Sequence, residues 1–270
     1  MKEFFLMTFA FSWLIYAPGA LEGLRVVDLG LSDTILTILN VVGGMGPSIS
    51  AMVLVYRSGG RNGVIDLLRR GIDPRGIPAR WWAVLLLVFP MLGLTSVFLD
   101  YLVTGAVPEI PLFTQPLMVF AYLIGGFIVP IGNHWREEFG WRGYALPSLQ
   151  KSWGALGASL VTGVAWGLWH LPLFFFSNTQ QVYGRISIPT FLAMTTLLSC
   201  VITWIYNGTG GSLFSAIVAH FLAGGGEVMI PRTDTAYGQY IYLLLEAALV
   251  LIVLLRSGFR AEKASNSQTS

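Results

Sequence analysis

Apolar residues in this chain come in long unbroken runs, and the runs set the architecture. A bilayer core of about 30 Å takes about 20 helical residues to cross. Eight runs approach that length, at residues 4–21, 35–56, 81–103, 113–133, 153–176, 188–206, 213–230 and 240–255. The pattern predicts an all-α integral membrane protein built as a bundle of eight transmembrane helices. The first run is read as a retained span. Lys2 is its only flanking positive charge, and Trp13, Tyr16 and Pro18 stand where a signal peptide would carry small residues before its cleavage site.

Composition agrees: 54% of the residues are hydrophobic, 11% are charged and the mean hydropathy is +0.68, whereas soluble domains carry about 25% charged residues. The single cysteine, Cys200, lies in an apolar run and has no internal disulfide partner, so it reads as a small buried hydrophobe. With eight spans, every lysine and arginine except Arg25, Arg185 and Arg232 falls on one side of the membrane. Cytoplasmic loops carry that excess, so both termini are expected in the cytoplasm. Between the second and third spans, Val64, Ile65, Leu67, Leu68 and Ile72 interleave with arginines. This segment reads as a short interfacial amphipathic helix or as an ordinary basic loop. Residues 1–256 read as one domain, and the small polar residues of 257–270 as a disordered tail.

Against this apolar background the stretch from Trp135 to Gly143, with Arg136, Glu137, Glu138 and Arg142, is the anomaly. It follows directly on an uncharged run, which places the acidic pair at or just inside a membrane edge. An acid at that depth costs about 2.5–3.5 kcal/mol unless it is partnered or faces a wet cavity. On a helix, Glu138 and Arg142 are four apart with the acid first, the favourable order for an ion pair. Glu137 lies about 100° round the helix and stays available.

Two of the three histidines, His170 and His220, also fall inside apolar spans. Either alone reads as a packing residue; with two glutamates on a third span they point to a shared site. Gly163 and Gly167 in the fifth span would let helix backbones approach closely. The third histidine, His134, precedes Glu137 by three residues and Glu138 by four, and reads as a membrane-edge residue without a catalytic role. Asp100 is expected to reach water at the end of its span, and Glu246 has no neighbour in its own run to pair with.

A glutamate and a histidine in a partly dry cavity can activate water, and a second histidine can stabilise the oxyanion formed when that water attacks a carbonyl. No serine or cysteine is placed beside a base as a nucleophile. Glu137, His170 and His220 also make a candidate shell for a divalent metal such as zinc, although no HExxH motif is present. The same buried groups would serve a proton-coupled transporter or a non-catalytic membrane scaffold.

Glu137-Glu138-x-x-x-Arg142, then Trp166 four positions before His170, then His220 in a later span, resembles the CPBP family of intramembrane proteases. That family, also called ABI, includes the CAAX prenyl endopeptidases and bacterial relatives linked with bacteriocin maturation and immunity. EEFGWRGYALPSLQ is similar to its first motif and WGLWHLP to its second. The resemblance implies an intramembrane endopeptidase in which Glu137 and His170 activate water, Glu138 and Arg142 hold the site, and His220 forms the oxyanion site. It implies a membrane-associated or lipidated peptide or protein as substrate, in the lipid bilayer of a bacterial or archaeal plasma membrane with the site toward the cytoplasm; no nucleic acid is expected. The third motif departs from the family pattern, with Gly224 in the place of an asparagine or aspartate four residues after His220. Either Glu227, seven residues after His220 and on the same helical face, takes over that polar role, or the chain is an impaired protease homologue. Trp166 stands for the more usual phenylalanine and keeps an aromatic wall.

Overall fold

The computed structural model describes residues 1–107, 110–128, 133–179, 183–229, 235 and 237–256, leaving aside the side chains of 126–128, 133 and 225–229. The expected tail at 257–270 lies outside the described residues. Among those described there is no strand. In chain order the helices are α1 Lys2–Gly23, α2 Asp33–Gly43, α3 Gly46–Ile72, α4 Ala79–Thr104, α5 Pro111–Thr114, α6 Pro116–Ile128, α7 Asn133–Gly140, α8 Leu146–Trp169, α9 Ile188–Gly208, α10 Leu213–Met229 and α11 Gly238–Arg256. A π-helical turn, Trp141–Ala145, joins α7 to α8, and short 3-10 turns follow α8.

Among the described residues six helical stretches are long and apolar enough to cross a membrane, and α6 and α10 contribute shorter apolar segments. Burial is inverted relative to a water-soluble protein. Leu6, Leu14 and Leu87 are 71%, 75% and 57% exposed, while Ser12, Asp100, Glu138 and Arg142 are fully buried. Apolar side chains facing outward and polar ones facing inward suit a hydrocarbon solvent, where an unsatisfied polar group costs several kcal/mol.

Two glycines decide how the long stretches fold. Gly60 in α3 (φ 59°) and Gly154 in α8 (φ 65°) adopt a left-handed backbone that only glycine takes without strain. At both the chain reverses. Glu137 and Trp166, 29 residues apart, are hydrogen-bonded, although a straight helix would separate them by about 44 Å. In α3, Pro47 lies against Gly140 and Gly71 against Phe139. Adjacent residues of α7 thus touch positions that a straight α3 would hold about 36 Å apart.

The segment read as an interfacial helix, or alternatively as a basic loop, is therefore the helical second arm of α3, and its inner face is covered by protein. Leu67 packs on Gly143, and Gly71 meets Phe139 and Ile217, while Leu68 and Ile72 stay exposed. Within the run expected at 113–133 the described residues include α6, and residues 133–150 form an inward-packed arm of their own. On that arm both glutamates are buried within the protein, Glu138 completely. Asp100 does not reach water. It is fully buried and accepts a hydrogen bond from the Thr235 hydroxyl. Glu246 is likewise buried, on the inward side of α11.

The second arm of α8 packs along α9, the most extensive helix pairing in the bundle. Gly163 permits it, since a Cβ there would come 2.6 Å from the Thr196 backbone.

Candidate active site

The site is assembled from α7 and its π turn, the end of α8, and the middle of α10. Glu138 on α7 and Arg142 in the π turn are four residues apart and both wholly buried. Arg142 Nη1 donates to Glu138 Oε1 at 2.7 Å. The same carboxylate oxygen meets His220 Nδ1, from α10, at 2.9 Å. One carboxylate thus joins a guanidinium and an imidazole from two helices. Charge-assisted bonds of this kind are about twice as strong as neutral ones. The Arg142 guanidinium also lies 5.0 Å from the centre of the Trp166 ring, a cation–π contact.

Trp166 is the hub. Its indole N–H donates to Glu137 Oε2, and its backbone carbonyl lies 2.9 Å from His170 Nδ1. A carbonyl only accepts, so that nitrogen carries the proton and Nε2 of neutral His170 keeps the lone pair. The Trp166 ring also packs edge-on against His220, with ring centres 4.9 Å apart. Glu137 and His170 are thereby both tied to one residue, Trp166.

The surroundings of His170 are aromatic. Trp169, Phe191 and Tyr183 ring His170 at centre separations of 4.7, 5.4 and 6.2 Å. Arg136, next in sequence to Glu137, sends Nη1 to the carbonyls of Val41 and Asn40. A cation is favoured there, at the C-terminal end of the α2 dipole. Ser48 of α3 donates to the Arg136 carbonyl at 2.5 Å. These contacts fix the rotation of α7, and hence where its two glutamates point.

Every principal residue singled out from the sequence, Glu137, Glu138, Arg142, Trp166, His170 and His220, is in this cluster. Trp166 does more than supply a wall: its N–H, which phenylalanine lacks, holds Glu137. Gly224 is exposed, and a Cβ there would meet nothing within 4 Å. The Glu227 side chain lies outside the described residues.

Two residues were not read as part of the site. Arg136 is one, and no sequence signal marks its reach to α2. The other is His134, which is 6% exposed, with its ring 6.2 Å from that of His220 and 4.9 Å from that of Phe221. Its spacing from the glutamates was the available signal.

The metal shell expected from Glu137, His170 and His220 is not assembled. Among the described residues no three His, Cys, Asp or Glu side chains are arranged to hold an ion.

The family described as type II CAAX prenyl endopeptidase, Rce1-like, matches residues 115–225, which contain the whole cluster. The chain is also 27% identical over 257 residues to CAAX prenyl protease 2 of Methanococcus maripaludis, an alignment covering 93% of each chain.

Proposed function

Because the chain belongs to the CPBP family of intramembrane proteases, which holds the type II CAAX prenyl endopeptidases, it is a membrane-embedded peptidase, and we propose that it cuts a lipidated, membrane-associated protein by direct attack of an activated water. The observation that carries the mechanism is the tethering of Glu137 and His170 to the two ends of Trp166.

On this reading Glu137, oriented through Oε2, takes a proton from water with its other oxygen. His170 Nε2 accepts the second hydrogen and sets the water's direction. The water oxygen bonds to the scissile carbonyl carbon, and the carbonyl π pair moves onto its oxygen. That oxyanion is met by Nε2–H of protonated His220. Arg142, whose Nε and Nη2 have no hydrogen-bond partner among the described residues, can also donate. Collapse of the tetrahedral species breaks the C–N bond, and the proton held by Glu137 passes to the departing amine. Glu138 touches no reacting atom; it holds Arg142 and His220 in place. The basic end of the bundle faces the cytoplasm, and the family relationship favours a prenylated C-terminal segment as substrate.

Purified protein in detergent, given a prenylated peptide, tests the assignment. Glu137→Ala and His170→Ala should each abolish product while melting like the parent, and a chelator should leave the parent's rate unchanged. Normal cleavage by either variant overturns the water-activating pair, and loss of activity on chelation that added zinc restores overturns the metal-free mechanism.

A further inference from the structure

A cavity of about 490 Å³ opens at the basic end of the bundle, between the second arm of α3, the turn that follows it and the α9–α10 turn. That volume is within the range of small-ligand sites, about 300–1,000 Å³. Its polar lining includes Asp66, Arg69 and Arg70 from the arm, Asp73 and Arg75 from the turn, and Ser212 ahead of α10. The two turn residues neutralise each other. Arg75 donates from Nε and Nη2 to the two oxygens of Asp73, each at 2.7 Å, and these side-chain bonds hold the Asp73 carboxyl down to about 2.

Arg69 and Arg70 are different. Among the described residues neither has an ion-pair partner. The one side-chain bond of Arg70 among the described residues is long, 3.5 Å, to the Tyr206 hydroxyl. Against these two guanidinium groups stands one carboxylate, Asp66. On the same arm, beside the arginines, Leu68 and Ile72 are 40% and 64% exposed. Two unpaired guanidinium groups over a cavity, bordered by outward-facing apolar side chains, match the two halves of a phospholipid.

We propose that this cavity binds the phosphodiester headgroup of an anionic membrane lipid, with Arg69 and Arg70 as its ligands and Leu68 and Ile72 against the acyl chains. The bound headgroup spans two elements that support the catalytic helix. Leu67 of the arm and Leu213 of α10 both pack on Gly143, next to Arg142; a Cβ on Gly143 would lie 2.9 and 3.2 Å from them. Occupancy clamps the arm and the start of α10 onto the turn that carries Arg142, so an anionic lipid steadies the catalytic layer without touching it.

Thermal unfolding of the full chain in mixed micelles tests this, with phosphatidylglycerol compared to phosphatidylcholine and to inorganic phosphate. Phosphatidylglycerol is expected to raise the midpoint by about 5 °C over phosphatidylcholine. Inorganic phosphate at the same concentration should not. R69A/R70A should lose the shift, while R61A/K151A, which removes two exposed charges elsewhere at the same end, should keep it. A shift that survives in R69A/R70A, disappears equally in R61A/K151A, or is reproduced by inorganic phosphate overturns the proposal. If R69A/R70A already melts lower in phosphatidylcholine, R69K/R70K decides: it keeps the charge and should retain part of the shift, and complete loss overturns the assignment.

Discussion

Two arginine–carboxylate pairs in this protein have the same length and opposite consequences. Arg142 meets Glu138 at 2.7 Å with both side chains wholly buried, and Arg75 meets Asp73 at 2.7 Å with side chains 86% and 36% exposed. Water screens the second pair and would solvate either partner alone, so it contributes little. The first pair has no such fallback. Removing one partner of a buried pair leaves an uncompensated charge at a cost of about 3–5 kcal/mol. Distance alone therefore says nothing about importance. The surrounding medium decides it, and the buried pair also carries His220 and faces Trp166.

The contrast is sharpest in Arg142→Ala against Arg75→Ala. The first should abolish cleavage and lower stability by about 3–5 kcal/mol; the second should leave the rate and the melting curve unchanged. Similar melting of the two variants would show that the buried charge is compensated by something other than Arg142.

Next in size is Trp166→Phe. It keeps the ring and removes the N–H that holds Glu137. A hydrogen bond to a charged group contributes about 1.5–3 kcal/mol, so kcat should fall about 10- to 100-fold with little change in KM. An unchanged kcat would mean that Glu137 needs no orientation by the indole.

A smaller effect, of opposite sign, is expected from Gly224→Asn. The position is open enough for the added side chain, and a new donor one turn beyond His220 should raise kcat/KM severalfold. A drop would favour Glu227 as the existing substitute.

Smallest of all is Asp73→Asn. The Asp73 carboxyl is held down to about 2 by Arg75. Its contribution to stability is therefore present above about pH 4, the ordinary carboxyl range, and is lost as the pH falls toward 2. Solvent exposure makes that contribution slight, so the variant and its parent should melt together from pH 4 to pH 8. Separation of the two curves would show that the exposed pair is not screened.

Much of this was legible in the chain. The apolar runs locate the helices because crossing hydrocarbon leaves the backbone few alternatives to a helix. The Glu138–Arg142 bond follows from i,i+4 spacing, and the embedded histidines stand out because a bilayer makes each one costly. What escaped was the meeting of distant parts. The reversals at Gly60 and Gly154 are two among 31 glycines, and hydropathy cannot tell a glycine that bends the chain from one that admits a neighbour. The inward course of residues 133–150 escaped for the same reason. Its charges read as an edge when it was considered alone, and become an interior once α3, α8 and α10 surround it. Asp100 was expected in water because the Thr235 hydroxyl that holds it is 135 residues away.

The amino-acid sequence by itself determined a helical membrane protein and the residue types of its chemistry, because both rest on local properties: runs of apolar side chains and spacing along one helix. Only the tertiary structure decided which nitrogen of His170 is bonded, that Trp166 grips Glu137, and that Glu138 serves two partners rather than one. Those outcomes depend on where the chain turns back, and that is set by the packing of whole helices against one another.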